Sequence, residues 1–312
     1  MTRFQLTDVF ACALAACLLL GLAVVGRRQA QEFNAIAECS VKLKRIGQGL
    51  LQYQELSGGQ FPRTRYVAGD PITAYTGVDA DNPFADDGPA INDVTAAAFL
   101  LARVVELPGE AFICPGAQRH GLAETNRYTN VTVLQRSNFR ARLYYSYALT
   151  NMYPDASALA AGYDLNGYTK QRNPRFAIAA DTNPGGEGVD AAKPGLSRMQ
   201  MRMANSPNHQ RDGQNVLFAS GAVEFLPSPF VGVNNDNIYA SATTFPTPAS
   251  AEDNVMLPHW AMGPNLTAQA VDLRRWVFSG AVILTAVGLV LIVLRNRHRP
   301  ERVGLKDEPR PL

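Results

Sequence analysis

Two uncharged apolar stretches, one near each end of the chain, constrain this protein more than any other feature of its sequence. Trp276 to Leu294 is nineteen residues without a charge, bracketed by Arg274 and Arg275 before it and by Arg295, Arg297 and Arg299 after it. About twenty apolar residues cross the hydrocarbon core of a bilayer as a helix, and a tryptophan at the boundary suits the interface. Val9 to Gly26 is as apolar and ends at Arg27-Arg28. Two spans would put both termini on one side of a membrane and the polar body on the other.

Charge orients the pair. Residues 1–8 and 295–312 together hold seven Lys/Arg against four Asp/Glu, whereas residues 27–275 hold 22 against 23. Basic residues collect in short segments that stay cytoplasmic, so a two-pass protein of the cytoplasmic (inner) membrane with an extracytoplasmic, periplasmic body is expected. A cleaved signal peptide is the alternative for the first stretch, because Met-Thr-Arg, the apolar run and Val24-Val25-Gly26 match its three regions. The body faces outward in either case. Its balanced charge gives no basic surface for DNA or RNA, so no nucleic-acid partner is expected.

Beyond Arg28 the sequence turns amphipathic while keeping helical spacing. Phe33, Ile36, Leu43, Ile46, Leu50 and Tyr53 recur at intervals of three, four or seven, and Glu32, Glu38, Lys42, Lys44 and Arg45 fall largely elsewhere. No proline interrupts the run before Pro62, and Ser57-Gly58-Gly59 supplies a stop. The spacing predicts one helix over about residues 5–56.

That design resembles the type IV pilin and pseudopilin family. Phe4-Gln-Leu-Thr-Asp8 is similar to a prepilin N-terminus, with Phe first and an acidic residue fifth. The run from Cys39 through Leu43-Lys44 and Ile46-Gly47 to Tyr53, then Gly59-Gln60-Phe61-Pro62, is similar to that of a planctomycete-type branch that pairs a prepilin-type N-terminus with an H-X9-DG segment. Phe112-Ile-Cys-Pro115, Tyr145 to Asn151, Ala177 to Asn183 and Asn205 to His209, leading into Asn215 to Phe225, follow in the family's order. The resemblance covers roughly residues 4–226 and implies an antiparallel sheet laid on the exposed half of the long helix. It also implies a non-enzymatic structural or assembly component whose partners are the membrane and other pilin-like or secretion-machinery proteins of type II secretion or type IV pilus systems.

Three departures bear on what is implied. After His209 come ten residues and then Ser220-Gly221, so the motif's aspartate is absent and its spacing is longer by one; the glycine that precedes Phe at a prepilin-peptidase cut is Arg3. The second span would drag Arg295, Arg297, Arg299 and Arg302 through hydrocarbon if the helix were extracted into a fibre, at roughly 2.5–3.5 kcal/mol per charge. A permanently anchored component is therefore expected rather than a fibre subunit.

The body reads as α+β. Val94 to Leu107 has the composition of a short apolar helix. Tyr144–Leu149, Arg175–Ala180, Asn215–Ala219 and Ala222–Leu226 read as strands, with Ser220-Gly221 turning a hairpin between the last two. The expected organisation is a transmembrane segment (1–28), a pilin-like domain (29–226), an irregular tether rich in Pro, Asn, Ser and Thr (227–274), a second transmembrane helix (275–295) and a basic cytoplasmic tail (296–312).

Few residues suggest chemistry. Cys12 and Cys17 fall within the first apolar stretch and read as packing. Cys39 and Cys114 form an even pair in a compartment that permits disulfides, and a bond between them would tie the helix to the middle of the domain. His209 with Asp212, and Asp181 upstream, is the one constellation with acid/base or metal-ligand types; the plainer reading is that His209 and Asp212 organise the turn before the hairpin, since no second His or Cys is near in sequence. Asp79, Asp81, Asp86 and Asp87 have the oxygen density of a calcium site without EF-hand spacing, and a solvated acidic loop is the plainer reading. Met199, Met201 and Met203 alternate as one face of a strand or an adaptable contact surface would, with packing the plainer reading. Nucleophile elbows, zincin motifs and phosphate loops are absent from the sequence, so no catalytic residue, cofactor or enzymatic activity is expected. The rival expectation is an extracytoplasmic ligand- or calcium-binding module that uses the pilin architecture as an anchor.

Overall fold

The computed structural model describes residues 6–258, apart from 78–79, 125–132, 168–172, 191 and 243. Phe4, Asp79 and the expected second span and tail over 275–312 lie outside the described residues, as does the end of the expected tether beyond residue 258. Residues 30–262 form one compact unit, and residues 1–29 belong to another.

A single α-helix, α1, runs from Leu6 to Leu56, 51 residues, and begins and ends within a residue of the expected limits. Its first part, described side chains from Phe10 onward, leaves Leu18, Leu19, Leu20, Leu22 and Val25 exposed. This is the one helix among the described residues that is long and apolar enough to cross a membrane. Within the second unit the helix buries a stripe of Ala35, Cys39, Leu43, Ile46, Leu50 and Tyr53, spaced by four, four, three, four and three. Phe33, expected on that stripe, is 63 % exposed, because at 100° per residue it falls well off the line through Cys39 and Leu43. The stop is as expected: Gly58 and Gly59 take left-handed φ of 65° and 89°, and the Gly59 N–H returns to the Gln54 carbonyl at 2.7 Å, closing the end of the helix. Phe61 then turns into the core, with Pro62 buried beside it.

Five antiparallel strands form the sheet: β1 Tyr147–Thr150, β2 Ala177–Asp181, β3 Gln214–Phe218, β4 Val223–Leu226 and β5 Met256–Leu257, in the order β4-β3-β2-β1-β5. The β3–β4 hairpin turns at Ser220-Gly221, where Gly221 has φ of 82°. The sheet is covered on both faces, and so its strands read as apolar runs. Tyr147, Leu149, Ala179, Leu217 and Leu257 pack with the α1 stripe. Ala148, Ala180, Val216, Phe218 and Met256 pack under Val189, Ile238 and Tyr239. Alanines in β2 keep that central strand thin. Helix and sheet approach closely at Gly47, where an added Cβ would lie 2.8 Å from Leu217 Cδ2.

Helix α2, Val94–Val104, shorter than expected by three residues, buries every residue from Val94 to Ala102. Its N-cap Asp93 is itself buried and accepts hydrogen bonds from Ala96 N, Thr76 N and Asn138 Nδ2 at 2.9, 2.9 and 3.1 Å, which satisfies both carboxylate oxygens.

The described part of the expected tether does more than connect. Residues 238–239 cover the second face of the sheet and β5 extends its edge through Leu149↔Leu257. Asn183, in a segment that reads as a plain turn, clamps this cover by donating from Nδ2 to the carbonyls of Tyr239 at 2.9 Å and Met256 at 2.8 Å. The three methionines form part of a helix, Arg198–Ala204, rather than a strand, and only Met201 is buried.

A candidate metal centre between the helix and the sheet

Four segments far apart in sequence deliver Cys39, Cys114, Asp181 and His209 to one place. Cys39 comes from the buried stripe of α1. Cys114 immediately precedes the short helix α3, Pro115–Arg119. Asp181 ends β2 opposite Tyr147, on the face turned towards α1, and His209 closes a 3-10 turn, Pro207–His209, whose first residue is proline and whose N-cap is Ser206. One ligand atom from each residue lies within 4.8 Å of every other, and all four residues are fully buried.

The contacts are specific. The Cys39 thiol donates to Asp181 Oδ1 at 3.0 Å. His209 Nε2 lies 3.4 Å from both Cys114 Sγ and Asp181 Oδ2. The Asp181 carboxylate also accepts from Asn208 Nδ2 at 2.9 Å and from the backbone N–H of Asn215 at 2.7 Å, and the Tyr147 hydroxyl donates to Cys39 Sγ at 3.4 Å. The other imidazole nitrogen, Nδ1, is 3.1 Å from Glu32 Oε1. Glu32, two helical turns before Cys39, is also met by His120 Nε2 at 3.4 Å, Arg119 at 3.4 Å and Gln210 Nε2 at 3.2 Å. The imidazole fits because position 116 has no side chain: a Cβ there would stand 2.7 Å from His209 Nδ1 and closer still to the Asn208 carbonyl oxygen.

Electrostatics follow from this crowding. Burial disfavours an imidazolium at His209, but the Asp181 carboxylate, Cys114 and Glu32 outweigh it and carry the imidazole up to about 11. Burial would raise Glu32, yet the hydrogen bonds of His120 and His209 and the charge on His209 hold it well below the ordinary carboxylate range. The two cysteines are pushed apart. Burial, then Cys114 and Asp181, raise the Cys39 thiol, while at Cys114 burial is overcome by the Cys39 hydrogen bond and by His209, so that its thiol is lowered. Opposite perturbation of adjacent groups is a mark of functional sites.

Sequence spacing and spatial grouping differ here. His209 and Asp181 do come together, but Asp212 does not join them; it forms a salt bridge with Arg202 at 3.4 Å, and its part in the turn is a backbone bond to the His209 carbonyl at 3.0 Å. Cys39 and Cys114 meet as free thiols, in company with the acid and the imidazole. The sulfurs missing from the sequence neighbourhood of His209 lie 95 and 170 residues upstream. Glu32, grouped in the sequence with the polar residues off the apolar stripe, instead points at His209, because its spacing of seven from Cys39 sets its carboxylate in line with the buried stripe. The aspartates of the 79–87 loop form no such group among the described residues: Asp86 pairs with Arg65 at 3.3 Å, and the Asp81 carbonyl accepts from Arg103. Beside the cluster, a cavity of about 20 Å³ lined by Ser146, Thr182 and Asn208 has room for about one water. The arrangement suits holding an ion or a proton better than admitting a substrate. No protein-family model, curated protein or solved structure matches this chain.

Proposed function

We propose that this chain is a non-enzymatic, membrane-anchored, pilin-like structural or assembly component of a type II secretion or type IV pilus-related system, with its body outside the cytoplasmic membrane. The observation that carries the reading is the 51-residue α1, apolar and exposed over its first half and laid on a five-stranded antiparallel sheet over its second. The motif order from Phe4 to Phe225 in the sequence supports the same reading. So do Phe33, Val41 and Leu51, which are apolar and 63, 52 and 41 % exposed on the part of α1 that belongs to the body, a surface suited to neighbouring helices. Two membrane spans, the second over 275–295, keep the chain anchored instead of extruded.

Photo-crosslinkers placed at Phe33, Val41 and Leu51 in native membranes, read by mass spectrometry, test it. Adducts to the apolar helices of other membrane proteins are expected, together with digestion of the body by protease added to spheroplasts. A body that survives that protease intact, or crosslinks confined to this chain's own residues, refutes the reading.

A further inference from the structure

We propose that Cys39, Cys114, Asp181 and His209 are the four ligands of one structural zinc-type divalent ion that clasps α1 to the sheet. The donor set is two sulfurs, one imidazole nitrogen and one carboxylate oxygen, the types that a borderline-soft, tetrahedral ion takes in closed sites. The size fits as well. Bonds of about 2.0–2.3 Å in a tetrahedron give ligand-to-ligand edges of about 3.3–3.8 Å. The separations here are 3.0 Å for Cys39 Sγ to Asp181 Oδ1 and 3.4 Å for His209 Nε2 to both Asp181 Oδ2 and Cys114 Sγ, and one ligand atom from each residue lies within 4.8 Å of every other, so an ion draws the ligands together by at most about 1 Å. Binding displaces the thiol protons and any proton on Nε2 of His209 to solvent.

The surroundings are those of a metal site. A ligating histidine keeps its ring oriented by giving its other N–H to a carboxylate, and here Nδ1 faces Glu32 Oε1 while Nε2 faces the sulfur and Asp181. The carboxylate ligand is fixed in turn by Asn208 and by the Asn215 N–H, and Cys39 by Tyr147. All four ligands are protein groups without solvent exposure, which marks a structural ion rather than a catalytic one, since catalytic zinc keeps a position open. The proposal is independent of the membrane and pilin readings.

The full chain, purified in detergent with reductant, is the material for the test. One zinc ion per chain is expected by elemental analysis after passage over a weak chelator. Replacement by Co(II) is expected to give thiolate-to-cobalt charge transfer and the visible bands of a tetrahedral ion. Glu32→Gln leaves all four ligands unaltered, and is expected to keep the fold by circular dichroism and to weaken zinc affinity about 10- to 100-fold in competition with a chromogenic chelator. Asp212→Asn is expected to leave affinity unchanged. Cys114→Ser is expected to abolish the charge transfer; if that variant does not fold, the Glu32→Gln measurement decides. A Cys39–Cys114 disulfide in the native chain isolated without reductant overturns the proposal. So does a reduced chain that takes up neither zinc nor Co(II) at micromolar concentration, or a Glu32→Gln affinity equal to that of the parent.

Discussion

The contact between Gly47 of α1 and Leu217 of β3 makes the docking of helix on sheet measurable. A methyl group at position 47 would lie 2.8 Å from Leu217 Cδ2 and 3.3 Å from Cδ1, so Gly47→Ala forces the leucine from its place. Alanine gains about 1 kcal/mol of helix propensity over glycine, while overpacking of a filled core costs about 1–3 kcal/mol. The net expectation is a loss of about 1 kcal/mol. Leu217 is 2 % exposed, and Leu217→Ala should cost about 3 kcal/mol as transfer and cavity terms combine. Together the changes relieve one another: the new methyl stands in space the leucine has left, and the propensity gain is realised without a clash. The double variant should lose about 2 kcal/mol rather than the summed 4, a coupling of about 2 kcal/mol, well above the roughly 0.5 kcal/mol by which independent sites depart from additivity. Urea titrations of the full chain in mild detergent, followed by circular dichroism, supply the four stabilities. Additivity within 0.5 kcal/mol would mean that the helix does not rest on this strand, and the packing argument would fail.

Three further outcomes are expected. Burial pushes Asp236 from 3.8 up to about 7, with the charge of Asp253 adding to it and the Asn254 N–H opposing it. An acid whose folded pKa is raised favours the folded state below its unfolded pKa and loses that contribution as pH rises through about 7, so Asp236→Asn should stabilise the protein at pH 8 by about 1 kcal/mol, after allowance for solvent screening, and have little effect at pH 3.5, as thermal melts at the two pH values will read. Asn183→Ala removes two buried hydrogen bonds and leaves the Tyr239 and Met256 carbonyls unpaired, which should cost about 2–4 kcal/mol and loosen the 238–258 cover first, detectable as hydrogen exchange there ahead of β3. Gly116→Ala drives a methyl into the His209 ring and the Asn208 carbonyl and should cost about 1–3 kcal/mol by the same urea titration, with loss of the 3-10 turn at Pro207–His209.

Elements with strong local signals were legible in the sequence: α1 from unbroken helical spacing and its Gly58-Gly59 stop, α2 from its alanine and leucine content, and the β3–β4 hairpin from alternation on both sides of Ser220-Gly221. Strand β5 was not, because two residues have no periodicity and Met256-Leu257 is held by partners distant in sequence, namely β1, Asn183 and Ile238. The methionines misled for a physical reason: positions two apart share one face of a strand but are spread around the axis of a helix, and a capping box at Ser197 and Gln200 sets the helix. Of the buried cluster, the sequence pairs His209 with Asp181 by residue type and Cys39 with Cys114 as a separate pair. Nothing local says that the two pairs meet, since their meeting depends on α1 lying along the end of β2.

That meeting has a temporal side. The ribosome delivers the two sulfurs early and the imidazole last, and everything between must be sorted before the fourth corner exists. Until then the thiols stand without the histidine. The four side chains can therefore be buried together only after residue 209 has been made and the 3-10 turn at Pro207–His209 has formed, so a chain cut short of that turn leaves Cys39 of α1 and Asp181 of β2 without their imidazole partner.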